Sequence, residues 1–161
     1  MSNQPVSLSP EGRAIVELFL KPLNKVILES IDFKLDTGAD VTTIDKATLN
    51  KLGYSNNWIA SNTVKSTDLT LQSAGVKRKP AYYIILPTIN ILGRDFTNWP
   101  LHILPTADEN YPNLLGIDIL QYFNFKFNYE KWEFTLIPIA SPKNPKKLAD
   151  NQKVYNVDMA E

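Results

Sequence analysis

At 161 residues with 43% hydrophobic content, the chain is long enough for one compact domain with a core and modest extensions, and two full domains would be a squeeze. Its 17 lysines and arginines balance 17 aspartates and glutamates, which removes any general attraction to nucleic acid or to an anionic membrane. With no cysteine there is no disulfide framework, thiolate nucleophile or cysteine metal site, a composition that suits a reducing compartment.

Residues 1–12 are polar and carry Pro5 and Pro10, so a flexible N-terminal arm is expected there, with the fold starting near Arg13. The opening has no basic stretch followed by an apolar one, and nowhere do about eighteen apolar residues run together. Neither a secretory signal nor a membrane span is expected, and the compartment is cytoplasmic or undefined. In AIVELFLK, Val16, Leu18 and Leu20 alternate, and after the turn PLNK a second run brings up Val26, Leu28, Ile31, Phe33 and Leu35. These predict two paired strands. Asp45 is placed to cap a short helix over 47–52, which Gly53 can stop in a left-handed conformation.

Apolar residues on both sides of Ser73-Ala74-Gly75 predict a hairpin with its tip at those three positions. PLHIL and NFKFNYEKWEFTLIP supply further strands. ASPKNPKKLADNQ is a proline- and lysine-rich linker, and beyond it Tyr155, Val157 and Met159 alternate like a strand awaiting a partner. The expected organisation is one all-β domain over 13–140, followed by a linker and tail over 141–161.

Ile31, Phe33 and Leu35 lead at alternate positions into Asp36-Thr37-Gly38, and Ala39 and Val41 follow. An isolated Asp-Thr-Gly is an ordinary turn, the acid bonding nearby amides and the glycine supplying a positive φ. The apolar frame argues for more: it delivers a carboxylate from the end of a buried strand.

On these residues the chain resembles the retroviral-type aspartic proteases, the retropepsin-like (clan AA) family. Their signature is an apolar pair, Asp-Thr-Gly and a small residue, here Lys34-Leu35-Asp36-Thr37-Gly38-Ala39-Asp40. The family's late landmark, two apolar residues and a glycine opening a short helix, matches Leu114, Leu115 and Gly116. The resemblance spans about Arg13 to Pro138. It implies a single-lobe acid-protease fold with a flap hairpin and one or two short helices, closing as a C2 dimer, and hydrolysis of peptide bonds without metal or organic cofactor. It further implies Asp36 as the catalytic acid, Thr37 and Gly38 as its support, and Ala39, Asp40 and the flap residues Ser73, Ala74 and Gly75 as substrate contacts.

The motif occurs once. Peptide hydrolysis by paired carboxylates needs two acids on one water, and no other aspartate here precedes Thr-Gly or Ser-Gly. The second carboxylate is therefore expected from a symmetry mate, in a homodimer acting on polypeptide, with no nucleic acid or membrane as partner. Two carboxylates about 3 Å apart share one proton and titrate as a unit, aspartic proteases being the standard example. The alternative is a dimerisation or peptide-binding module of the same fold whose catalysis is weak or lost.

Several positions depart from the pattern or imitate it. Retroviral members often carry an arginine after the late glycine, where it pairs with the acid equivalent to Asp40; here the residue is Ile117. Gly93-Arg94-Asp95 imitates that motif, but its strand-like sequel with Pro100 points to a hairpin turn at Gly93. The flap segment is poor in glycine, and Lys77-Arg78-Lys79 beside it reads as a solvated flank. His102, the single histidine, cannot build a zinc site and reads as structural. Trp58, Trp99 and Trp132, without a basic stripe, read as core and interface aromatics. The tail around Tyr155, Val157 and Met159 is expected as a dimer-interface strand, a cleft-occupying segment or a frayed end.

Overall fold

A computed structural model describes residues 5–71, 79–104, 112–143, 145 and 157–158. β1 (Val6–Ser7) precedes β2 (Ile15–Leu20), where Val16, Leu18 and Leu20 are buried and Glu17 and Phe19 face outward, the period of two expected of a half-buried strand. β2 runs antiparallel to β3 (Glu29–Leu35), with Val16 opposite Phe33 and Leu18 opposite Ile31. The alternation read from Val26 onward begins too early. Val26 is 90% exposed in the connecting turn, beside an ion pair at 3.2 Å between Lys25 and Glu29.

β4 (Thr43–Ile44) leads into α1 (Lys46–Lys51), whose first turn is capped by the Asp45 carboxylate accepting from Thr48 N at 2.7 Å. Gly53 follows with φ +92°, a conformation that suits glycine. α2 (Asn56–Asn62) was not anticipated: it is a polar stretch of weak helix formers started by the Ser55 hydroxyl on Trp58 N, and only Ile59 is buried.

β5 (Val64–Leu71) and β6 (Lys79–Ile91) form an antiparallel hairpin with Leu71 opposite Lys79. Its expected tip, Ser73, Ala74 and Gly75, lies outside the described residues. β7 (Arg94–Ile103) returns from β6 through Leu92 and Gly93, at φ +53° and +82°, a two-residue turn whose twist suits a hairpin. Arg94, expected only as an imitation of a missing motif, is fully buried. Its Nη1 donates to Tyr122 O at 2.7 Å and its Nη2 to Ile139 O, and the guanidinium lies 5.5 Å from the centre of the Phe123 ring. It ties the β6–β7 turn to the last third of the domain.

The remaining elements are β8 (Leu114–Leu115), α3 (Ile117–Leu120), β9 (Phe123–Asn128), β10 (Glu133–Pro138) and β11 (Val157–Asp158). One sheet has the order β1-β10-β9. The other has the order β11-β7-β4-β8-β3-β2-β6-β5, and the β6–β7 pairing closes its six central strands on themselves. Inside lie Leu18, Leu20, Phe33, Ile44, Leu49, Ile84, Leu86, Phe96 and Leu101, all fully buried. The fold is all-β with short helices, as expected.

Described segments near each terminus meet this body. From Val6 onward the expected arm is tied down: Val6 lies opposite Phe134, Leu8 is buried, and Trp132 Nε1 donates to Ser9 O at 3.0 Å. The strand foreseen in the tail pairs within its own chain, Val157 opposite Phe96 and Asp158 opposite Asp95. Tyr155 and Met159 lie outside the described residues. Among the described residues, no helix is long and apolar enough to cross a membrane.

Candidate active site

β8 lies between β3 and β4, parallel to the first, with Lys34 beside Leu114 and Leu35 beside Leu115, and antiparallel to the second, with Thr43 beside Leu114. The ladder runs on past the strand ends. Asp36 N donates to Leu115 O at 3.0 Å, Ile117 N to Ala39 O at 2.9 Å and Asp118 N to Asp40 O at 3.3 Å. Residues 36–42 are thus a loop whose two sides are bonded to the same short strand and the helix after it.

Gly116 makes that approach possible. A Cβ there would stand 2.5 Å from Val41 C, 2.6 Å from Val41 O and 2.9 Å from Ala39 O, all backbone atoms with nowhere to go. Its φ of −97° is open to any residue, so close packing, not backbone conformation, requires glycine.

Asp36 emerges half-buried at the end of β3. Its Oδ1 accepts from Gly38 N at 2.9 Å, which fixes the carboxylate orientation, and Ala39 N donating to Asp36 O at 3.1 Å closes the turn. A Cβ on Gly38 would press on Asp36 Oδ1 at 3.2 Å. Thr37 and Asp40 are exposed and Ala39 is half-buried. The structure therefore brings Asp36, Thr37, Gly38, Ala39 and Asp40 into one loop against Leu114, Leu115 and Gly116; the flap residues 73–75 lie outside the described residues.

Beneath the loop sits a buried acid that the sequence reading passed over. Asp118 Oδ1 accepts from Thr42 Oγ1 at 2.7 Å, Thr42 N at 2.9 Å and Ile119 N at 2.9 Å, and its Oδ2 from Trp99 Nε1 at 3.3 Å. Thr42 Oγ1 in turn accepts from Gly116 N at 3.0 Å. Burial pushes the Asp118 carboxyl up to about 6, against the pull of the Thr42 hydroxyl and amide, Trp99 and the Ile119 amide. The signal available in the sequence was an acid just inside a helix that opens on an apolar run, with no base nearby. Asn113 braces the far side: its side-chain oxygen accepts from Asp45 N at 2.9 Å and its main-chain oxygen from Lys34 N at 2.8 Å.

Ile117 sits where the resemblance leads one to expect arginine. The main chain nevertheless holds the loop there, through the amides of residues 117 and 118 on the carbonyls of Ala39 and Asp40. His102 is buried on β7, its ring 5.3 Å from that of Tyr83. Burial pushes its pKa down to about 4; the Pro100 backbone opposes this in part without reaching hydrogen-bond geometry, and the ring is neutral near pH 7. Among the described residues, no three His, Cys, Asp or Glu side chains cluster in a way that could hold a metal ion.

The candidate site is thus a single acid-bearing loop braced by a short parallel strand and helix, set in a closed all-β body. A family model described as "gag-polyprotein putative aspartyl protease" matches residues 28–122, more than half of the chain and the whole of this loop and its brace. The chain belongs to that family, the retropepsin-like aspartic proteases. Among solved structures it is similar to a retropepsin-like aspartic protease from Rickettsia conorii, at 25% identity over 83% of this chain and 89% of that one, with a TM-score of 0.59. It is also similar to the EIAV protease in complex with the inhibitor HBY-793, at 22% identity over 72% and 92% of the two chains, with a TM-score of 0.50, a likeness of fold alone. A search of curated proteins finds no match.

Proposed function

We propose that the protein is an aspartic endopeptidase that works as a homodimer, Asp36 of each copy facing the other across a two-fold axis. The observation that carries this is the single Asp36 carboxylate, oriented by Gly38 N at the half-exposed end of β3 and unmatched by any second Asp-Thr-Gly in the chain. A carboxylate pair sharing one proton can take a proton from water as it attacks the peptide carbonyl while the other acid protonates the carbonyl oxygen. The tetrahedral species then collapses with proton transfer to the leaving amine. Thr37 would brace the two loops across the axis, Gly38, Ala39 and Asp40 would hold the substrate main chain, and Ser73, Ala74 and Gly75 would close over it.

The test is cleavage of a peptide library by the purified protein from acid to neutral pH, beside Asp36→Asn, with light scattering on both. The expected result is cleavage by a dimer and at least a thousandfold loss of kcat/KM in the variant, which stays folded and dimeric. Undiminished cleavage by Asp36→Asn, or activity in a strictly monomeric protein, would sink the assignment.

A further inference from the structure

A cavity of about 290 Å³ lies where β2, the paired β1 and β10, and the β6–β7 turn meet. Val6, Ile15, Phe19, Phe134 and Leu136 give it apolar walls; the last two are buried, while Val6 and Phe19 are exposed. None of residues 34–42 or 113–118 lines it, so it is distinct from the Asp36 loop and its brace. Its volume is at the small end of ligand sites and suits a single long side chain.

Three polar side chains also line it. Asn90 is already satisfied, its amide donating to Asp95 at 2.6 Å and its oxygen accepting from Gly93 N at 3.2 Å. The other two are exposed acids, Glu17 and Asp32, which stand directly opposite each other on β2 and β3. Like charges so placed repel, and a sheet is destabilised by them unless a cation sits between. The chain supplies none. Glu17 accepts from the neutral Ser30 hydroxyl at 2.8 Å, and among the described residues the ion pair is that of Lys25 with Glu29. Lys34, two residues past Asp32 on the same face, stands beside Ile15 and pairs with neither acid.

Apolar walls and two uncompensated carboxylates together narrow the occupant. An aliphatic side chain fills the walls and leaves the acids repelling each other; an acidic one adds to the repulsion. A bare cation leaves the walls empty. Lys and Arg carry a flexible apolar stem below a charge, and the Arg guanidinium presents a fixed fork of donors that two carboxylates can share.

We infer that this cavity is a docking site, away from Asp36, for one Arg or Lys side chain of a polypeptide. The choice of a polypeptide over a free amine rests on the endopeptidase reading, so binding is measured apart from cleavage. Labelled peptides with Arg, Lys, norleucine or Glu between leucines are titrated against the full-length Asp36→Asn protein by fluorescence polarisation. The Arg and Lys peptides should bind at least about tenfold more tightly than the norleucine peptide, the Glu peptide most weakly, and the preference should shrink as salt is raised. Glu17→Gln with Asp32→Asn should reduce the preference to less than about twofold without lowering the melting temperature, because a repulsive pair is being removed. In the wild type, a substrate carrying the docking residue away from its cut should gain through KM with kcat unchanged, and the double variant should lose that gain. If the wild type cuts nothing, the endopeptidase reading fails, while polarisation with the Asp36→Asn protein still decides the docking site. Equal binding of Arg and norleucine peptides, a preference that survives in the double variant, n-butylamine competing as well as the Arg peptide, or self-association that depends on the two acids would each overturn it.

Discussion

Gly116→Ala isolates the packing on which the Asp36 loop depends. The added methyl would lie 2.5 Å from Val41 C, 2.6 Å from Val41 O and 2.9 Å from Ala39 O, and none of these can turn aside as a flexible side chain would. Relief requires the 39–41 segment and β8 to part, and the bonds across the gap are Gly116 N to Thr42 Oγ1 at 3.0 Å and Ile117 N to Ala39 O at 2.9 Å. Overpacking of this kind costs about 1–3 kcal/mol or somewhat more, and loosening two buried hydrogen bonds adds about 1–2 kcal/mol. Against this, alanine restricts the unfolded chain and returns about 0.4–1 kcal/mol, since the glycine φ is one alanine accepts. The net expectation is a loss of about 3 kcal/mol, or roughly 6–12 °C in Tm for a chain of this size. Urea unfolding and calorimetry measure it. A variant that melts within 2 °C of the wild type would show that the close approach is not a constraint, and with it the account of how Asp36 is held would fall.

Thr42→Val removes the hydroxyl that donates to Asp118 and accepts from Gly116 N, leaving a buried acid short of a donor and an amide unpaired; about 2–4 kcal/mol should be lost, and a change in urea midpoint equivalent to less than about 0.5 kcal/mol would refute it. Two buried groups set opposing pH slopes. His102, lowered from 6.5 to about 4, contributes stability present above pH 6.5 and lost as pH falls through about 4; Asp118, raised from 3.8 to about 6, contributes stability present below pH 3.8 and lost as pH rises through about 6. Asp118→Asn should therefore gain stability as pH rises from 4 to 6.5 and His102→Leu should lose it, each by up to roughly 3 kcal/mol, with the wild type flatter than both; urea midpoints across that range check this, and slopes of the same sign in the two variants would refute it.

What could be read from the sequence was what depends on near neighbours. The frame of Asp36 is a strand period of two ending on a turn, and the start and stop of α1 are set by Asp45 and Gly53 within one helix length. Asp118 and Arg94 escaped for the opposite reason. The first is held by Thr42, 76 residues away, and the second by carbonyls 28 and 45 residues on, so neither meaning exists until the chain is folded. α2 is hard to read from sequence because its residues have little intrinsic helix preference and its start rests on the single Ser55 cap. The early start given to β3 counted Val26 and Leu28 as alternating, when the hydrophobicity of a turn tip says nothing about burial.

The substitution of Ile117 for the expected arginine matters less to the loop than the resemblance suggests. An ion pair to Asp40 would act at an exposed carboxylate, where water and salt screen it. The bonds that do hold the loop run from main chain to main chain, at Asp36, Ala39 and Asp40, and rest on Asp118 and Thr42 beneath them, both buried. Such contacts are little affected by ionic strength and are complete within one copy. In the proposed dimer, association then joins two half-sites that are already shaped, so the ordering cost that usually weakens an interface is largely met during folding. The arginine position is left free to carry an apolar residue.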